Sequence, residues 1–230
     1  MHKDNALTAT KRIGQNQIVP IMKTFSRFTE DNRQEYLKLA RVWPEEYCGS
    51  GITINCTEDR KYKMLREILN ISVEGFQRGY WKKEIALNLS EEGLVSIRDY
   101  GTGIPQKYVE RLVSGRPEYG RFCPGIFDEP EYEHLPGLQY VNVHSSMMRV
   151  TSYQLGRSLT LDFKDGMIAG KDVRATDEQN GTLVEFSPNT KYGTFERERV
   201  DAIIDEYLSS GASFIAYSSH IDECCLKRKT

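Results

Sequence analysis

The chain has 230 residues, of which 28% are charged and 39% are hydrophobic, and its formal net charge is -2. This length and apolar content support one large domain or two small ones with a hydrophobic core. The near-neutral charge excludes the domain-wide basic field typical of proteins that bind nucleic acid directly, so we expect no direct DNA binding.

The cysteine and histidine positions do not indicate a metal-binding domain. Five cysteines and four histidines are present, and none has the paired spacing of a zinc site. The N-terminal segment has no apolar signal core, and no apolar run reaches transmembrane length. We therefore expect a reduced, cytoplasmic protein without membrane contact.

Residues 1–60 are predicted to form an extended arm followed by a short helix. The helix is expected over residues 31–42, because Pro44 disfavours its continuation. A longer helix is predicted over residues 62–78, where apolar and small residues recur at helical spacing. Its expected buried stripe consists of Leu65, Ile68, Leu69, Ser72 and Phe76.

A β-hairpin is predicted next, because residues 84–89 and 94–99 alternate in polarity on either side of the turn sequence SEEG. The segment DYGTGIP follows directly, and a short helix is predicted over residues 107–114. Residues 115–136 contain four prolines and several glycines, which indicates a loop. Loops of this length within a domain are commonly lids or binding segments.

The rest of the chain is predicted to be mainly strands. Four candidates, MRVTSYQL, SLTLDFK, MIAGKDV and TLVEF, precede a helix over residues 195–209 and a final strand, SFIAYS. Short turns between consecutive strands favour an antiparallel sheet over a doubly wound parallel one. The predicted fold class is therefore α+β, with a mixed, mostly antiparallel sheet covered by helices on one face.

The segment IRDYGTGIP is the most specific local pattern for chemistry. Asp99 ends a strand, and Gly101 and Gly103 allow the backbone to approach another group closely. Such an aspartate can accept a hydrogen bond from the amino group of an adenine. An ordinary turn is the alternative interpretation, since short glycine motifs recur in unrelated proteins.

Two further motifs occur in a fixed order around this turn. A helix with Glu67, Asn70 and Glu74 precedes it, and a strand that begins with Gly181 and Thr182 comes much later. An acidic helix, a D-x-G-x-G-I-P turn, a glycine-containing lid and a G-T strand resemble the GHKL superfamily of ATPases. The segment RVWPEEYCGS and the stretch from GTLVEF to SGASF are similar to the gyrase B and type II topoisomerase branch. The resemblance spans residues 40–220 and implies the Bergerat-type two-layer sandwich.

The resemblance implies roles for individual residues. Glu67 matches the carboxylate that activates the water attacking the γ-phosphate of ATP, a general-base role. Asp99 matches the acceptor of the adenine amino group, and Thr182 shares that network. The wall under the base is matched by Gly101, Gly103, Ile104 and Pro105.

The phosphate and metal motifs depart from the family pattern. The family's Mg²⁺-binding asparagine lies four residues after the glutamate, where this chain has Ile71, an aliphatic residue that cannot bind Mg²⁺. Asn70 lies one position earlier, about 100° around a helix. Either Asn70 binds the metal or the ligand is lost. In the lid motif Gly137 remains, whereas Tyr140 and Asn142 stand at glycine positions, where side chains would crowd bound phosphates.

The leading hypothesis is an ATP-binding GHKL module with weak ATP hydrolysis coupled to association with itself or a partner. In this interpretation residues 61–220 are the ATP-binding domain, after the arm of residues 1–60 and before a charged tail of residues 221–230. One alternative is an inactive pseudo-ATPase that serves as a protein-interaction module. Another is the ATPase portion of a multi-chain type II topoisomerase, with a homodimer or a DNA-processing partner protein.

Overall fold

The computed structural model describes residues 10–12, 18–20, 30–42, 59–77, 84–114, 136–209 and 213–219. At the N-terminal side, strands β1 (Thr10–Arg12) and β2 (Ile18–Pro20) form a two-stranded antiparallel sheet. Helix α1 (Glu30–Val42) follows and buries one face in the core. Of the predicted loop, residues 115–136, only Pro136 is among the described residues.

The main sheet has seven strands. They are β3 (Glu84–Leu89), β4 (Val95–Asp99), β5 (Ser145–Gln154), β6 (Arg157–Lys164), β7 (Met167–Ala175), β8 (Gly181–Pro188) and β9 (Ser213–Ser219). Their order across the sheet is β7-β6-β5-β8-β4-β3-β9. All neighbours are antiparallel except β3 and β9, which are parallel. The mixed, mostly antiparallel sheet that the sequence predicts is confirmed.

Four helices and one short 3-10 helix follow α1 in the described part of the chain. They are α2 (Arg60–Gln77), α3 (Gln106–Ser114), α4 (Pro136–His144), the 3-10 helix (Thr190–Tyr192) and α5 (Arg197–Ser209). In β3 the buried residues alternate with more exposed ones, so one face of this strand meets the core. Helix and strand residues join in one hydrophobic cluster, which makes the fold a two-layer α+β sandwich, as predicted.

Helix α2 forms because its apolar residues recur at helical spacing and can be buried together. Tyr62, Leu65, Ile68 and Leu69 are almost completely buried, and Ser72 continues the same stripe. The helix packs against α4. These contacts fix the position of Glu67 relative to the start of α4.

Helix α4 corrects one expectation from the sequence. The stretch PGLQYVNV lies in a helix whose residues from Gly137 onward are buried. Tyr140 is 2% exposed, and the amide nitrogen of Asn142 donates to the carbonyls of Val113 and Gly166. The interpretation that Tyr140 and Asn142 crowd bound phosphates is therefore wrong, because both side chains point into the protein interior.

Candidate functional site

The ends of two neighbouring strands meet at Asp99 and Thr182. Asp99 is the last residue of β4, and Thr182 is the second residue of β8. Oδ1 of Asp99 accepts the backbone amide of Gly101 at 3.0 Å and that of Thr182 at 3.1 Å. The structure thus brings together two residues that the sequence analysis assigned to one purine site.

Burial and hydrogen bonding shift the pKa of Asp99 in opposite directions. This residue is 4% exposed. Burial raises the pKa of Asp99 to about 6, because a charged carboxylate loses solvation in the interior. The amides of Gly101 and Thr182 and the positive charge of Arg98 lower this pKa and limit the increase. At neutral pH the carboxyl is therefore mainly ionised and can accept hydrogen bonds.

The hydroxyl of Thr182 is a buried polar group with unused hydrogen-bonding capacity. Within the described part of the chain, Oγ1 has no well-formed hydrogen bond, although it lies near enough to Asp99 to lower the pKa of that carboxyl. Buried hydroxyls are normally satisfied by protein, water or a ligand. Asp99 and Thr182 therefore present an acceptor and a hydroxyl side by side.

Two glycines allow the strand ends to come this close. A side chain at Gly103, where φ is +76°, would overlap the carbonyl oxygen of Tyr153. A side chain at Gly181, where φ is +139°, would overlap both the carbonyl oxygen of Asp99 and Nη1 of Arg98. Close packing of one backbone on another thus requires glycine at 103, a residue that the resemblance assigned to the wall under the base.

The remaining residues of the predicted base wall lie directly after this turn. The side chain of Ile104 is 1% exposed and belongs to the core, and its carbonyl accepts a hydrogen bond from the Ser152 hydroxyl. The carbonyl of Pro105 accepts the amide of Tyr108 as α3 begins. The DYGTGIP turn is thus anchored at both ends.

Glu67 lies where α2 meets the start of α4. Its Oε1 atom is 3.8 Å from Nζ of Lys63, one helical turn earlier, and both side chains are largely buried. A Cβ atom added at Gly137 would lie 3.1 Å from Cβ and from Oε2 of Glu67. The structure therefore brings together Glu67 and Gly137, the two residues that the resemblance assigns to the phosphate end of the site.

The predicted metal ligand, Asn70, is directed elsewhere. Its Oδ1 atom accepts a 2.5 Å hydrogen bond from the hydroxyl of Tyr207 on α5. Ile71 is 8% exposed and belongs to the core. The described residues contain no group of three or more His, Cys, Asp or Glu side chains that could hold a metal ion. Mg²⁺ prefers oxygen ligands, so Ile71 cannot bind it, and the side-chain oxygen of Asn70 is engaged by Tyr207.

Two residues beside the site were missed by the sequence analysis. Lys63 could have been found from its spacing, because a lysine and a glutamate four residues apart share a helix face. Arg98 directly precedes Asp99 and is 9% exposed. The sequence gives little indication that Arg98 is buried, because a charged residue on a strand usually faces solvent.

Known proteins with similar sequences include DNA topoisomerase 4 B subunits. No family model matches the chain. The Borreliella burgdorferi protein is 32% identical over 139 residues, which cover 60% of this chain and 22% of the relative. A Staphylococcus aureus protein is 27% identical over 180 residues, which cover 73% of this chain and 26% of the relative. The chain thus spans about a quarter of the length of these relatives.

A solved structure with a similar fold is the 43K ATPase domain of Thermus thermophilus gyrase B in complex with an aminocoumarin. The TM-score is 0.58 at 22% sequence identity, and the match covers 80% of this chain and 48% of that chain. Together with the curated relatives, this similarity shows that the chain has a GHKL fold of the gyrase B type. Among the described residues, no helix is both long and apolar enough to cross a membrane.

Proposed function

We propose that this chain is a GHKL module that binds ATP through recognition of the adenine by Asp99 and Thr182. The observation that carries the proposal is the contact between these two residues, in which Oδ1 of Asp99 accepts the amide of Thr182 at 3.1 Å. Similarity to the gyrase B ATPase domain and to the topoisomerase relatives also supports ATP binding.

The chemistry of the pair suits adenine. Both backbone amides are accepted by Oδ1 of Asp99, which leaves Oδ2 with acceptor capacity for an exocyclic amino group. The Thr182 hydroxyl can hydrogen-bond the neighbouring ring nitrogen or a water that bridges to it. Guanine would present a carbonyl oxygen to the carboxylate, and two acceptors facing each other disfavour binding. The site should therefore select adenine over guanine.

Weak hydrolysis is the second part of the proposal, and Glu67 is the residue we assign to it. A carboxylate in this position can accept a proton from the water that attacks the terminal phosphorus, while the bond from that phosphorus to the bridging oxygen breaks and ADP leaves. The contact of Lys63 with Glu67 and the packing of Gly137 support a fixed orientation of this side chain. The N-terminal amides of α4 are suited to an anion near Gly137.

A module that binds nucleotide without turnover is the second candidate. It is favoured by Asn70, whose side-chain oxygen is bonded to Tyr207, and by Ile71, which is buried where the family has its metal ligand. In that case the domain would act as a nucleotide-regulated interaction module. Because the curated relatives are topoisomerase subunits, we also propose a role as the ATPase portion of a larger assembly, through a homodimer or a DNA-processing partner.

Isothermal titration of the full chain tests binding directly. We expect heat of binding for a non-hydrolysable ATP analogue and about 100-fold weaker binding for the matching GTP analogue, since an unpaired buried acceptor costs a few kcal/mol. Absence of binding by the ATP analogue overturns the proposal.

Turnover separates the two candidates. If hydrolysis is measurable in the wild type, it should be lost in Glu67→Ala and kept in Glu91→Ala, a control in the exposed hairpin turn. Binding without turnover in the wild type would favour the interaction module. Co-purification with a DNA-cleaving subunit would support the larger assembly.

A further inference from the structure

Arg98 is a buried arginine beside the candidate site that the proposed chemistry does not use. Nη1 donates to the carbonyl oxygen of Asp99 at 2.6 Å, and Nη2 donates to the carbonyl oxygen of Gln179 at 2.5 Å. Its Cζ atom lies 4.2 Å from the ring centroid of Tyr153 and 4.9 Å from that of Tyr100. Because a guanidinium stays charged and its burial is costly, these carbonyls and ring faces are the contacts that make the burial tolerable.

These contacts connect the two chain segments that form the candidate site. Asp99 ends β4, whereas Gln179 lies in the connection that leads into β8 and Thr182. A side chain at Gly181 would overlap Nη1 of Arg98, which shows how closely the guanidinium lies against the start of β8. One side chain therefore fixes the end of β4 and the approach to β8 relative to each other.

Arg98 also contributes charge. It is the charged side chain that lowers the pKa of Asp99, in opposition to burial. The other groups that act on this carboxyl are the amide of Gly101 in the following turn and the amide and hydroxyl of Thr182 on β8. The pKa of Tyr153, whose ring lies 4.2 Å from Cζ of Arg98, is raised by burial, and the charge of Arg98 limits the increase.

We infer that Arg98 is a positioning residue of the nucleotide site, which holds Asp99 and Thr182 in the arrangement that receives adenine. This inference rests on the proposed function, since it concerns the same site. The Arg98 guanidinium donates to the carbonyls of Asp99 and Gln179, so we assign it no direct contact with the nucleotide. It acts through the backbone of Asp99, through the connection before Thr182 and through its charge.

The test compares three variants of the full chain by titration with a non-hydrolysable ATP analogue across a pH series. Arg98→Met removes both hydrogen bonds and the charge, whereas Arg98→Lys keeps the charge but cannot reach both carbonyls in the planar two-pronged geometry. Arg174→Met is the control, because Arg174 pairs with Asp172 on the exposed strand β7. Circular dichroism and thermal unfolding establish that each variant is folded.

We expect Arg98→Met to bind the ATP analogue at least about tenfold more weakly than the wild type. This corresponds to a loss of about 1.4 kcal/mol of binding free energy. Adenine binding requires ionised Asp99, so it is lost as the pH falls through the pKa of that carboxyl. Without the arginine charge this pKa rises, and Arg98→Met should lose binding at a higher pH than the wild type. Arg98→Lys should bind more weakly with an unshifted pH midpoint, and Arg174→Met should be unchanged.

Equal affinity and an equal pH midpoint in Arg98→Met and the wild type would overturn the inference. So would an equal loss in Arg98→Met and Arg98→Lys without any shift in pH midpoint, because that pattern indicates a merely structural role. If Arg98→Met does not fold, wild-type affinity in Arg98→Lys overturns the inference, and a weaker affinity supports it. A wild-type chain that binds no adenine nucleotide instead overturns the proposed function.

Discussion

The backbone amide of Thr182 donates a 3.1 Å hydrogen bond to Oδ1 of Asp99, a residue 83 positions earlier in the chain. The bond is possible because Gly181 has no side chain to separate the two strand ends. A buried carboxylate held by backbone amides should affect nucleotide binding, as an acceptor, and stability, through its raised pKa.

Replacing Asp99 with asparagine should separate these two consequences. Asp99→Asn presents an amino group or a single neutral acceptor to the adenine, so we expect nucleotide affinity to fall about 100-fold. Isothermal titration of the variant at neutral pH measures this loss. An affinity within a few-fold of the wild type would exclude Asp99 as the adenine acceptor.

The same variant should be more stable than the wild type at neutral pH. Since the pKa of Asp99 is about 6 in the folded state and 3.8 when unperturbed, the folded state holds the proton more tightly. The wild-type free energy of unfolding is then highest below the lower value and falls as the pH rises through about 6. Asp99→Asn lacks this fall and should gain up to about 3 kcal/mol at neutral pH. Urea unfolding at acid and neutral pH measures the difference, and equal pH dependence in both proteins would contradict it.

The Thr182 hydroxyl should matter for binding but not for folding. Thr182→Val replaces a buried hydroxyl that has no well-formed partner in the described part of the chain with a methyl group, so the free energy of unfolding should change by less than about 1 kcal/mol. Affinity for the ATP analogue should fall by about tenfold, the effect of one lost hydrogen bond.

Thr151→Val is the matched control for that variant. Thr151 pairs with Leu183, one residue further along β8, and its hydroxyl is 3.0 Å from that of Thr160. This control should lose about 1 kcal/mol of stability and keep its nucleotide affinity. The opposite pattern, with Thr182→Val less stable and still binding normally, would place the Thr182 hydroxyl in a structural network.

Gly137→Ala should affect turnover without affecting adenine recognition. The added Cβ would lie 3.1 Å from Oε2 of Glu67, closer than ordinary contact, and would shift that side chain. Any hydrolysis should fall at least about tenfold, because a displaced general base loses its reach to the attacking water. Titration with ADP and a phosphate-release assay measure the two quantities, and unchanged turnover would remove Glu67 from the mechanism we propose.

Removal of Mg²⁺ should leave adenosine and ADP binding nearly unchanged. The Asn70 oxygen is bonded to Tyr207, and Ile71 cannot bind a cation, so we expect less than about a threefold change in affinity between Mg²⁺ and EDTA. Strong tightening by Mg²⁺ that is lost in Asn70→Ala would show that the Asn70 side chain turns from Tyr207 to a metal. Tyr207→Phe removes the hydroxyl that donates to the Asn70 oxygen, and so tests the same hydrogen bond by changing its donor.

The sheet was predictable because its strands alternate in polarity and are joined by short turns. Residues 84–89 and 94–99 form the hairpin β3–β4 almost to the residue, and the four later strand candidates are β5 to β8. Helix α5 and strand β9 also lie where the pattern places them. In β3, β6 and β8, local periodicity and tertiary burial agree.

Helix α4 was not predictable from periodicity. From Gly137 to His144 every residue is buried, so no polar face marks its helical repeat. Pro136 at its start was assigned to the preceding loop, although proline is common in the first turn of a helix. The contribution of Arg98 was hidden for a different reason, since its hydrogen bonds reach residues 1 and 81 positions away, and only the folded sheet brings the latter close.

A crystal structure of the full chain soaked with a non-hydrolysable ATP analogue tests the central claim most directly. We expect the adenine amino group within hydrogen-bonding distance of Oδ2 of Asp99, with a ring nitrogen bonded to the Thr182 hydroxyl directly or through one water. An adenine bound elsewhere, with these two side chains making no contact to it, would contradict the claim.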